Sequence, residues 1–248
     1  MTTIYSNIIA SLKQGEKLLA VLIDPDKTDL IQIPSFMKKV EASVITHIFV
    51  GGSDVETNAT QLLVTEIKRW TDRPVILFPG DINQLTEAAD GLLFLSLISG
   101  RNPDFLIGKH VEAAKKLMHS NLDIIPTGYL LIENGKETAV QRVSGTKPIP
   151  RHDLNTIVQT VKAGALLGLK LIYLEAGSGA THPVNKEIIV AARSVIDIPL
   201  IVGGGIKTMT QLQDAYEAGA DLVVIGTAIE ENASFLDQLS LTSFKWNN

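Results

Sequence analysis

The sequence predicts a closed (β/α)8 barrel, the TIM barrel, and two patterns favour this fold class. Eight short runs rich in Leu, Ile and Val alternate with longer amphipathic segments, as expected for parallel strands connected by helices. Each run is almost entirely apolar, which is typical of strands buried on both faces. The chain has 248 residues, a usual length for eight such units, so we expect residues 1–248 to form a single barrel domain.

The predicted strands occupy residues 18–23, 47–50, 75–78, 91–95, 123–126, 171–174, 200–202 and 222–225. Helical patterns lie at residues 34–42, 57–70, 105–118, 153–167, 185–194, 209–218 and 231–239. The link between the third and fourth strands, residues 79–90, is too short for a full helix with its loops. We therefore expect a modified barrel in which a short non-helical or one-turn link replaces the third helix. After the fifth strand, residues 129–132 and 138–143 with Asn134-Gly135 between them predict a β-hairpin.

The composition excludes several classes of protein. The formal net charge is −5 and no dense block of Lys or Arg occurs, which argues against nucleic acid as a partner. The chain has no cysteine, so it has no disulfides, thiolate metal sites or cysteine nucleophiles, and it fits a cytoplasmic enzyme. The first residues lack a signal-peptide core, and the longest apolar stretches are far shorter than the ~18–20 residues of a membrane span.

Polar and glycine residues concentrate after the predicted strands, at the end of a barrel where active sites lie. They follow the first, second, third, sixth, seventh and eighth strands as Asp24-Pro25-Asp26-Lys27, Gly51-Gly52-Ser53-Asp54, Pro79-Gly80-Asp81, Glu175-Ala176-Gly177-Ser178-Gly179, Gly203-Gly204-Gly205 and Gly226-Thr227. The functional site is therefore predicted at this end.

The glycine loops after the last three strands predict a phosphate site. Glycine lets backbone N–H groups approach an anion closely, and a helix N-terminus adds a favourable dipole. Phosphate sites after the seventh and eighth strands recur in such barrels. The residues that fit this site are Gly203, Gly204, Gly205, Gly226 and Thr227, with Gly177, Ser178 and Gly179 on a third side. The alternative is that the glycines only form tight turns, but three consecutive loops favour phosphate.

Asp24 is a candidate metal ligand because it ends the first strand, where a carboxylate needs a partner. Mg²⁺ is usually held by one or two carboxylates together with substrate phosphates, and Ser53 offers a second oxygen. The alternatives are a turn-forming Asp before Pro25 and a capping role for Ser53. Lys27 is either a diphosphate contact or an exposed lysine.

Glu175 ends the sixth strand beside a glycine loop, where it is placed to bind a substrate hydroxyl or to act as a general base. A structural salt bridge is the alternative. Tyr173 either belongs to the core or offers its hydroxyl to a phosphate. Ser178 lacks the sequence context of a hydrolase nucleophile, and the histidines do not have metal-ligand spacing.

Several of these motifs occur in a specific order along almost the whole chain. They are Leu22-Ile23-Asp24-Pro25-Asp26-Lys27, Phe49-Val50-Gly51-Gly52-Ser53, Phe78-Pro79-Gly80, Arg101-Asn102-Pro103, Ile125-Pro126-Thr127-Gly128-Tyr129, Tyr173-Leu174-Glu175-Ala176-Gly177-Ser178-Gly179, Val202-Gly203-Gly204-Gly205-Ile206 and Ile225-Gly226-Thr227. Any single glycine motif is unspecific, whereas the ordered set resembles the geranylgeranylglyceryl phosphate synthase family.

The resemblance implies a prenyltransferase. Such an enzyme joins the 3-hydroxyl of sn-glycerol 1-phosphate to geranylgeranyl diphosphate or another polyprenyl diphosphate, and it releases diphosphate and an ether phospholipid precursor. It also implies a barrel without its third helix, and Mg²⁺ held by Asp24 and Ser53. Glycerol 1-phosphate would be bound by Tyr173, Leu174, Glu175, Ala176, Gly177, Ser178, Gly179, Gly203, Gly204, Gly205, Gly226 and Thr227. Many relatives have Asn at the position of Thr227.

The prenyl chain needs an apolar groove, which residues 92–98 are expected to line. The sequence does not set the length of that chain. The resemblance further implies a homo-oligomer. Because the prenyl substrate is a lipid, a peripheral contact with a membrane is also compatible with this function. Two other functions stay open: a phosphate-binding isomerase or epimerase that uses Asp24 and Glu175, and a non-catalytic protein that binds a phosphometabolite.

Overall fold

The computed structural model describes residues 3–52, 55–231 and 234–240 of the chain, which build a closed barrel of eight parallel strands in sequence order. The strands are β1 (Leu18–Ile23), β2 (His47–Val50), β3 (Val75–Leu77), β4 (Gly91–Leu97), β5 (Asp123–Leu131), β6 (Leu171–Glu175), β7 (Leu200–Gly203) and β8 (Leu222–Ile225). The barrel closes where β1 pairs with β8. The predicted modified TIM barrel is thereby confirmed.

The helices that surround the barrel include α1 (Ile4–Lys13), α2 (Ile33–Glu41), α3 (Ala59–Ile67), α4 (Lys109–Leu117), α5 (Ala139–Ser144), α6 (Leu154–Leu166), α7 (Lys186–Arg193), α8 (Met209–Glu217), α9 (Thr227–Glu231) and α10 (Ser234–Gln238). A π-helical turn, Asp104–Gly108, leads into α4. Within the described residues, no helix is long and apolar enough to cross a membrane.

Two apolar layers follow from the alternation of side chains along each strand. In β6, Leu171 and Tyr173 point into the barrel, whereas Ile172 and Leu174 pack outward against the helices. The same alternation directs Glu175, two residues after Tyr173, into the mouth of the barrel. The strand geometry therefore places this carboxyl group inside the site.

The third link is a single 3-10 turn, Ile82–Gln84, as the short spacing predicts. Gln84 is buried, and its side-chain amide joins the loops after β2 and β3. Its Oε1 accepts from the N–H groups of Gly52 at 3.3 Å and Gly80 at 3.2 Å, and its Nε2 donates to the Gly52 carbonyl at 2.8 Å. These bonds fix two site loops without a helix.

The predicted β-hairpin after the fifth strand is wrong. β5 continues to Leu131 because it pairs along its length with β4 and β6, and the segment after it forms the short helix α5. Thr138 caps this helix by accepting from the Gln141 N–H at 3.1 Å. Of the final helix expected at residues 231–239, residue 231 ends α9 and residues 234–238 form α10, while residues 232–233 lie outside the described part of the chain.

Helix α1 covers the amino ends of the strands, and no helical pattern at this position was predicted from the sequence. Ile8 is buried in the inner apolar layer, and the Tyr5 N–H donates to Asp123 Oδ2 at 2.9 Å. Because α1 closes one end of the barrel, the carboxyl ends of the strands form the open mouth.

Candidate active site

A cavity of about 580 Å³ opens at the carboxyl ends of the strands. The predicted residues that line it are Asp24, Lys27, Tyr173, Glu175, Gly177, Ser178, Gly204, Gly205, Gly226 and Thr227. The structure therefore brings together the loops after β1, β6, β7 and β8 around one space.

Four predicted residues do not line this cavity: Leu174, Ala176, Gly179 and Gly203. Leu174 and Ala176 pack in the outer apolar layer, because their side chains alternate away from the mouth. Gly203 lies behind the Tyr173 ring, whose hydroxyl is 2.3 Å from the point that a Cβ on Gly203 would occupy. Ser53 lies outside the described residues, so its predicted metal contact stays a prediction.

Glu175 is a buried carboxyl group with an unusual pKa. Only 5% of the residue is exposed, and burial raises its pKa from 4.5 to about 7. The Gly177 N–H, which donates to Glu175 Oε1, and the neighbouring Tyr173 hydroxyl both lower the pKa, but burial has the larger effect. No salt bridge to Glu175 is formed by the described residues, so the structural alternative is not supported.

Three aromatic rings form the floor beneath Glu175. The Phe78 ring lies 5.8 Å from that of Tyr129 and 5.3 Å from that of Tyr173, and the two tyrosine rings are 5.4 Å apart. Burial and the nearby Glu175 raise the pKa of both phenols well above 10. Both hydroxyls are therefore neutral hydrogen-bond groups near neutral pH.

The Tyr173 hydroxyl faces Glu175 but has no hydrogen-bond partner of good geometry among the residues described in the structure. A buried hydroxyl without a partner is costly in a protein interior. The Tyr173 hydroxyl is therefore available to a ligand group that enters beside the carboxyl group.

The glycine loops approach each other too closely for side chains. A Cβ on Gly204 would lie 2.3 Å from Glu175 Oε1 and 2.5 Å from the Gly177 nitrogen, and Gly204 has a φ of +80°. Both observations require glycine at this position. The backbone here forms a bare concave surface beside the carboxyl group, as an anion cradle needs.

Thr227 joins the loops after β6 and β8. Its Oγ1 accepts from the Gly179 N–H at 3.1 Å and lies 3.4 Å from Ser178 Oγ. The two hydroxyls thus lie together beside the glycine cradle. The Gly179 N–H is already used by Thr227, so hydroxyl hydrogens are what this group can offer, and such uncharged donors suit a phosphate oxygen.

Asp24 lines the cavity after β1, with 18% of its side chain exposed. Its Oδ1 accepts from the Asp26 N–H at 3.2 Å, and its Oδ2 lies 3.1 Å from the Lys27 ammonium. Gly52 leaves space here, since a Cβ on it would lie 2.6 Å from Asp24 Oδ1. In the described part of the chain, no cluster of three or more His, Asp or Glu residues forms a ready-made metal site.

The donor chemistry around Asp24 nevertheless fits Mg²⁺. This ion prefers oxygen ligands and is usually held by one or two carboxylates plus substrate phosphates. Asp24 supplies a partly exposed carboxylate, and Asp26 and Asp81 also line the cavity. A metal held by one or two of these groups would complete its coordination with waters and substrate phosphate oxygens.

The cavity extends into an apolar region beside β4 and α4. It is lined by Leu92, Leu93, Phe94, Leu95, Leu97, Phe105, Ala113 and Val140. Five of the seven residues 92–98 line this region, and their contact with a prenyl chain stays a prediction. Ile82, in the 3-10 turn that stands in place of the third helix, also lines the cavity.

Sequence reasoning missed a set of cavity residues on the segments after β4 and β5. They are Phe105, Lys109, Lys136 and Arg142. Lys136 and Arg142 were missed because residues 129–143 were interpreted as a hairpin, which does not place their side chains at the cavity. His110 also lines the cavity, where its Nε2 lies 3.2 Å from Ser96 Oγ and its ring packs edge-on against Phe94.

Comparison with known proteins agrees with this geometry. The PcrB family profile matches residues 13–243. The chain is 54% identical to the geranylgeranylglyceryl phosphate synthase of Zunongwangia profunda over 93% of its own length and 98% of the relative's. It is 51% identical to the enzyme of the same name from Flavobacterium johnsoniae, over 96% and 98% of the two chains.

A solved structure superposes closely on this one. The (S)-3-O-geranylgeranylglyceryl phosphate synthase of Thermoplasma acidophilum, crystallised in complex with sn-glycerol-1-phosphate, has a TM-score of 0.90 and 32% sequence identity, with 96% of each chain covered. The family profile, the sequence relatives and the solved structure agree with one another. The chain therefore belongs to the PcrB family, which includes these geranylgeranylglyceryl phosphate synthases.

Proposed function

We propose that this protein is a prenyltransferase that joins the 3-hydroxyl of sn-glycerol 1-phosphate to geranylgeranyl diphosphate or another polyprenyl diphosphate. One observation carries the proposal: a buried carboxyl group with a pKa of about 7, Glu175, lies against a glycine cradle at the head of an apolar groove. The site for the polar glycerol phosphate, the base and the apolar site for the prenyl chain thus lie in one cavity. The ligand of the Thermoplasma acidophilum relative supports the choice of acceptor.

The acceptor is held by its phosphate. The backbone around Gly177, Gly204 and Gly226 forms the cradle, and Ser178 and Thr227 add hydroxyl donors. With the phosphate held there, the glycerol hydroxyls extend toward Glu175, which lies 2.3 Å from the point that a Cβ on Gly204 would occupy. Such positioning removes much of the entropic barrier to reaction.

Glu175 accepts the proton of the attacking hydroxyl. A carboxyl group with a pKa of about 7 is ionised in part near neutral pH and is basic enough to take a proton as the new bond forms. The glycerol oxygen bonds to C1 of the prenyl chain, the bond between C1 and the diphosphate oxygen breaks, and diphosphate leaves with the electron pair. The proton on Glu175 is released to solvent after product departure.

The diphosphate would be held at the Asp24 side of the cavity. We propose that Asp24 and Ser53 hold Mg²⁺ and that Lys27, 3.1 Å from Asp24, contacts the diphosphate. When bound, the ion neutralises charge that develops on the leaving group. Asp24 can be reached from the cavity because it lines it and 18% of its side chain stays exposed.

The prenyl chain would occupy the apolar region beside β4 and α4. This region is the observation that separates prenyl transfer from the alternative of a sugar-phosphate isomerase, which needs no long groove. A buried base beside the cradle likewise disfavours a non-catalytic binder, because burying a carboxyl group without an ion-pair partner costs stability. We also expect a cytoplasmic homo-oligomer that meets membranes only peripherally.

A product assay tests the proposed function. The purified protein is incubated with Mg²⁺, a series of prenyl diphosphates and either sn-glycerol 1-phosphate or its 3-phosphate enantiomer, and the organic phase is examined by mass spectrometry. We expect an ether product from the 1-phosphate that disappears with EDTA, and the series ranks donor lengths. Binding of glycerol phosphate without product from any donor would contradict the proposal.

A further inference from the structure

Four cationic side chains line the cavity, and three of them have a carboxylate partner. The pairs are Lys27 with Asp24 at 3.1 Å, Lys109 with Asp81 at 2.9 Å and Arg142 with Glu137 at 3.9 Å. The fourth, Lys136, forms no ion pair with any residue that the structure describes. In a protein of net charge −5, an unpaired cation that lines the cavity is a candidate contact for an anionic ligand.

The ammonium of Lys136 lies over the glycine cradle. Its Nζ is 3.0 Å from the point that a Cβ on Gly179 would occupy. Glycine at position 179 therefore leaves room for the cation to approach the backbone. The Gly179 N–H is the same group that donates to Thr227 Oγ1 at 3.1 Å, so the ammonium, the amide and the threonine hydroxyl lie around one corner of the cradle.

The backbone of Lys136 is tied to the loop that it covers. Its N–H donates to Asn134 Oδ1 at 3.1 Å, and the buried Asn134 amide donates in turn to the Ala176 carbonyl. The His182 N–H donates to the Asn134 carbonyl at 3.2 Å. These bonds fix the loop after β5 against the loop after β6, so the lysine stem starts from a defined place beside Gly177 and Gly179.

We propose that Lys136 is the cationic contact for the phosphate of the bound glycerol phosphate. This inference rests on the proposed function. The rest of the cradle offers uncharged backbone amides and hydroxyls, whereas a phosphate ester carries roughly −1.5 to −2 charges near neutral pH. Lysine binds phosphate as a flexible point charge, and its contact with Gly179 assigns it to the acceptor phosphate, since Lys27 lies beside Asp24 on the diphosphate side.

The test compares Lys136→Met, Lys136→Arg and the matched control Lys147→Met, which changes an exposed lysine that does not line the cavity. Dissociation constants for sn-glycerol 1-phosphate and inorganic phosphate are measured by calorimetry at several salt concentrations, and KM is measured for both substrates. For Lys136→Met we expect a roughly ten-fold weaker affinity for both probes and a weaker salt dependence. Lys136→Arg and Lys147→Met should stay within about two-fold of the parent protein.

The outcomes separate this inference from the proposed function. Unchanged affinity in Lys136→Met, or a raised KM for the prenyl diphosphate alone, would overturn the role of Lys136 even if the parent protein makes the ether. A loss of phosphate affinity in Lys136→Met with an unchanged salt dependence would also overturn it, because this result indicates a structural effect. Weaker phosphate binding in Lys136→Met, with no ether formed by the parent protein, would support Lys136 and contradict prenyl transfer.

Discussion

Glu175 and Gly204 lie so close that a Cβ on Gly204 would be 2.3 Å from Glu175 Oε1. The carboxyl group and the glycine loop are therefore neighbours because Gly204 has no side chain. In the proposed function, this proximity would place the acceptor phosphate beside the carboxyl group that takes the proton.

Gly204→Ala is expected to weaken binding of sn-glycerol 1-phosphate by at least ten-fold, because the added methyl group intrudes on Glu175 and on the Gly177 amide. Gly168→Ala is the matched control, since Gly168 has a similar φ of +85° and no atom within 4 Å of an added Cβ. Both changes should cost about 1–2 kcal/mol of unfolding free energy from backbone strain, and Gly204→Ala should cost more because its methyl group also overlaps the Gly177 backbone. Calorimetry should find weak binding only in Gly204→Ala; equal affinities would place the phosphate elsewhere.

Glu175→Gln is expected to lower kcat by about 10²- to 10⁴-fold, the usual contribution of a general base. KM for glycerol phosphate should change much less, because the amide keeps the shape of the carboxyl group. The parent protein should show kcat/KM rising with pH to a plateau above about 7, since the carboxylate is the reactive form. A rate and a pH profile that survive in Glu175→Gln would remove Glu175 as the base.

The same residue makes the free energy of unfolding depend on pH. The folded-state pKa of about 7 lies above the ordinary 4.5, so the folded protein holds a proton that the unfolded chain has lost. The stabilising contribution is complete below pH 4.5 and is lost as the pH rises through 7. Denaturant unfolding without ligands should show Glu175→Gln gaining up to about 3 kcal/mol relative to the parent protein between these pH values. A constant difference would contradict the raised pKa.

Much of this site could be predicted from the sequence because polar and glycine residues directly follow the apolar runs that form the strands. The run of residues 18–23 predicts β1 with its observed bounds, and Asp24 follows it into the mouth. Lys136 was missed for a physical reason: Asn134-Gly135 between apolar segments is a turn signal, while the pairing of β5 with both neighbours is a long-range effect. The pKa of Glu175 likewise depends on burial that only the closed barrel creates.

Asp24→Asn is expected to reduce turnover at least ten-fold and to raise the Mg²⁺ concentration needed for half-maximal activity, because the amide is a weaker ligand for a hard cation. Asp237→Asn serves as the control, since Asp237 is exposed and also pairs with a lysine, Lys39, at 3.1 Å. Thermal unfolding of both variants checks that the fold survives. Mg²⁺ activation unchanged in Asp24→Asn would exclude Asp24 as a ligand.

In the proposed reaction, the acceptor hydroxyl attacks the prenyl chain and Glu175 takes its proton. The most direct measurement uses sn-glycerol 1-phosphate carrying heavy oxygen at the 3-hydroxyl, with mass spectrometry of both products. We predict that the heavy oxygen appears in the ether and that the released diphosphate is unlabelled, with the yield strongly reduced in Glu175→Gln. Label in the diphosphate, or an ether without label, would show that the glycerol hydroxyl is not the attacking group.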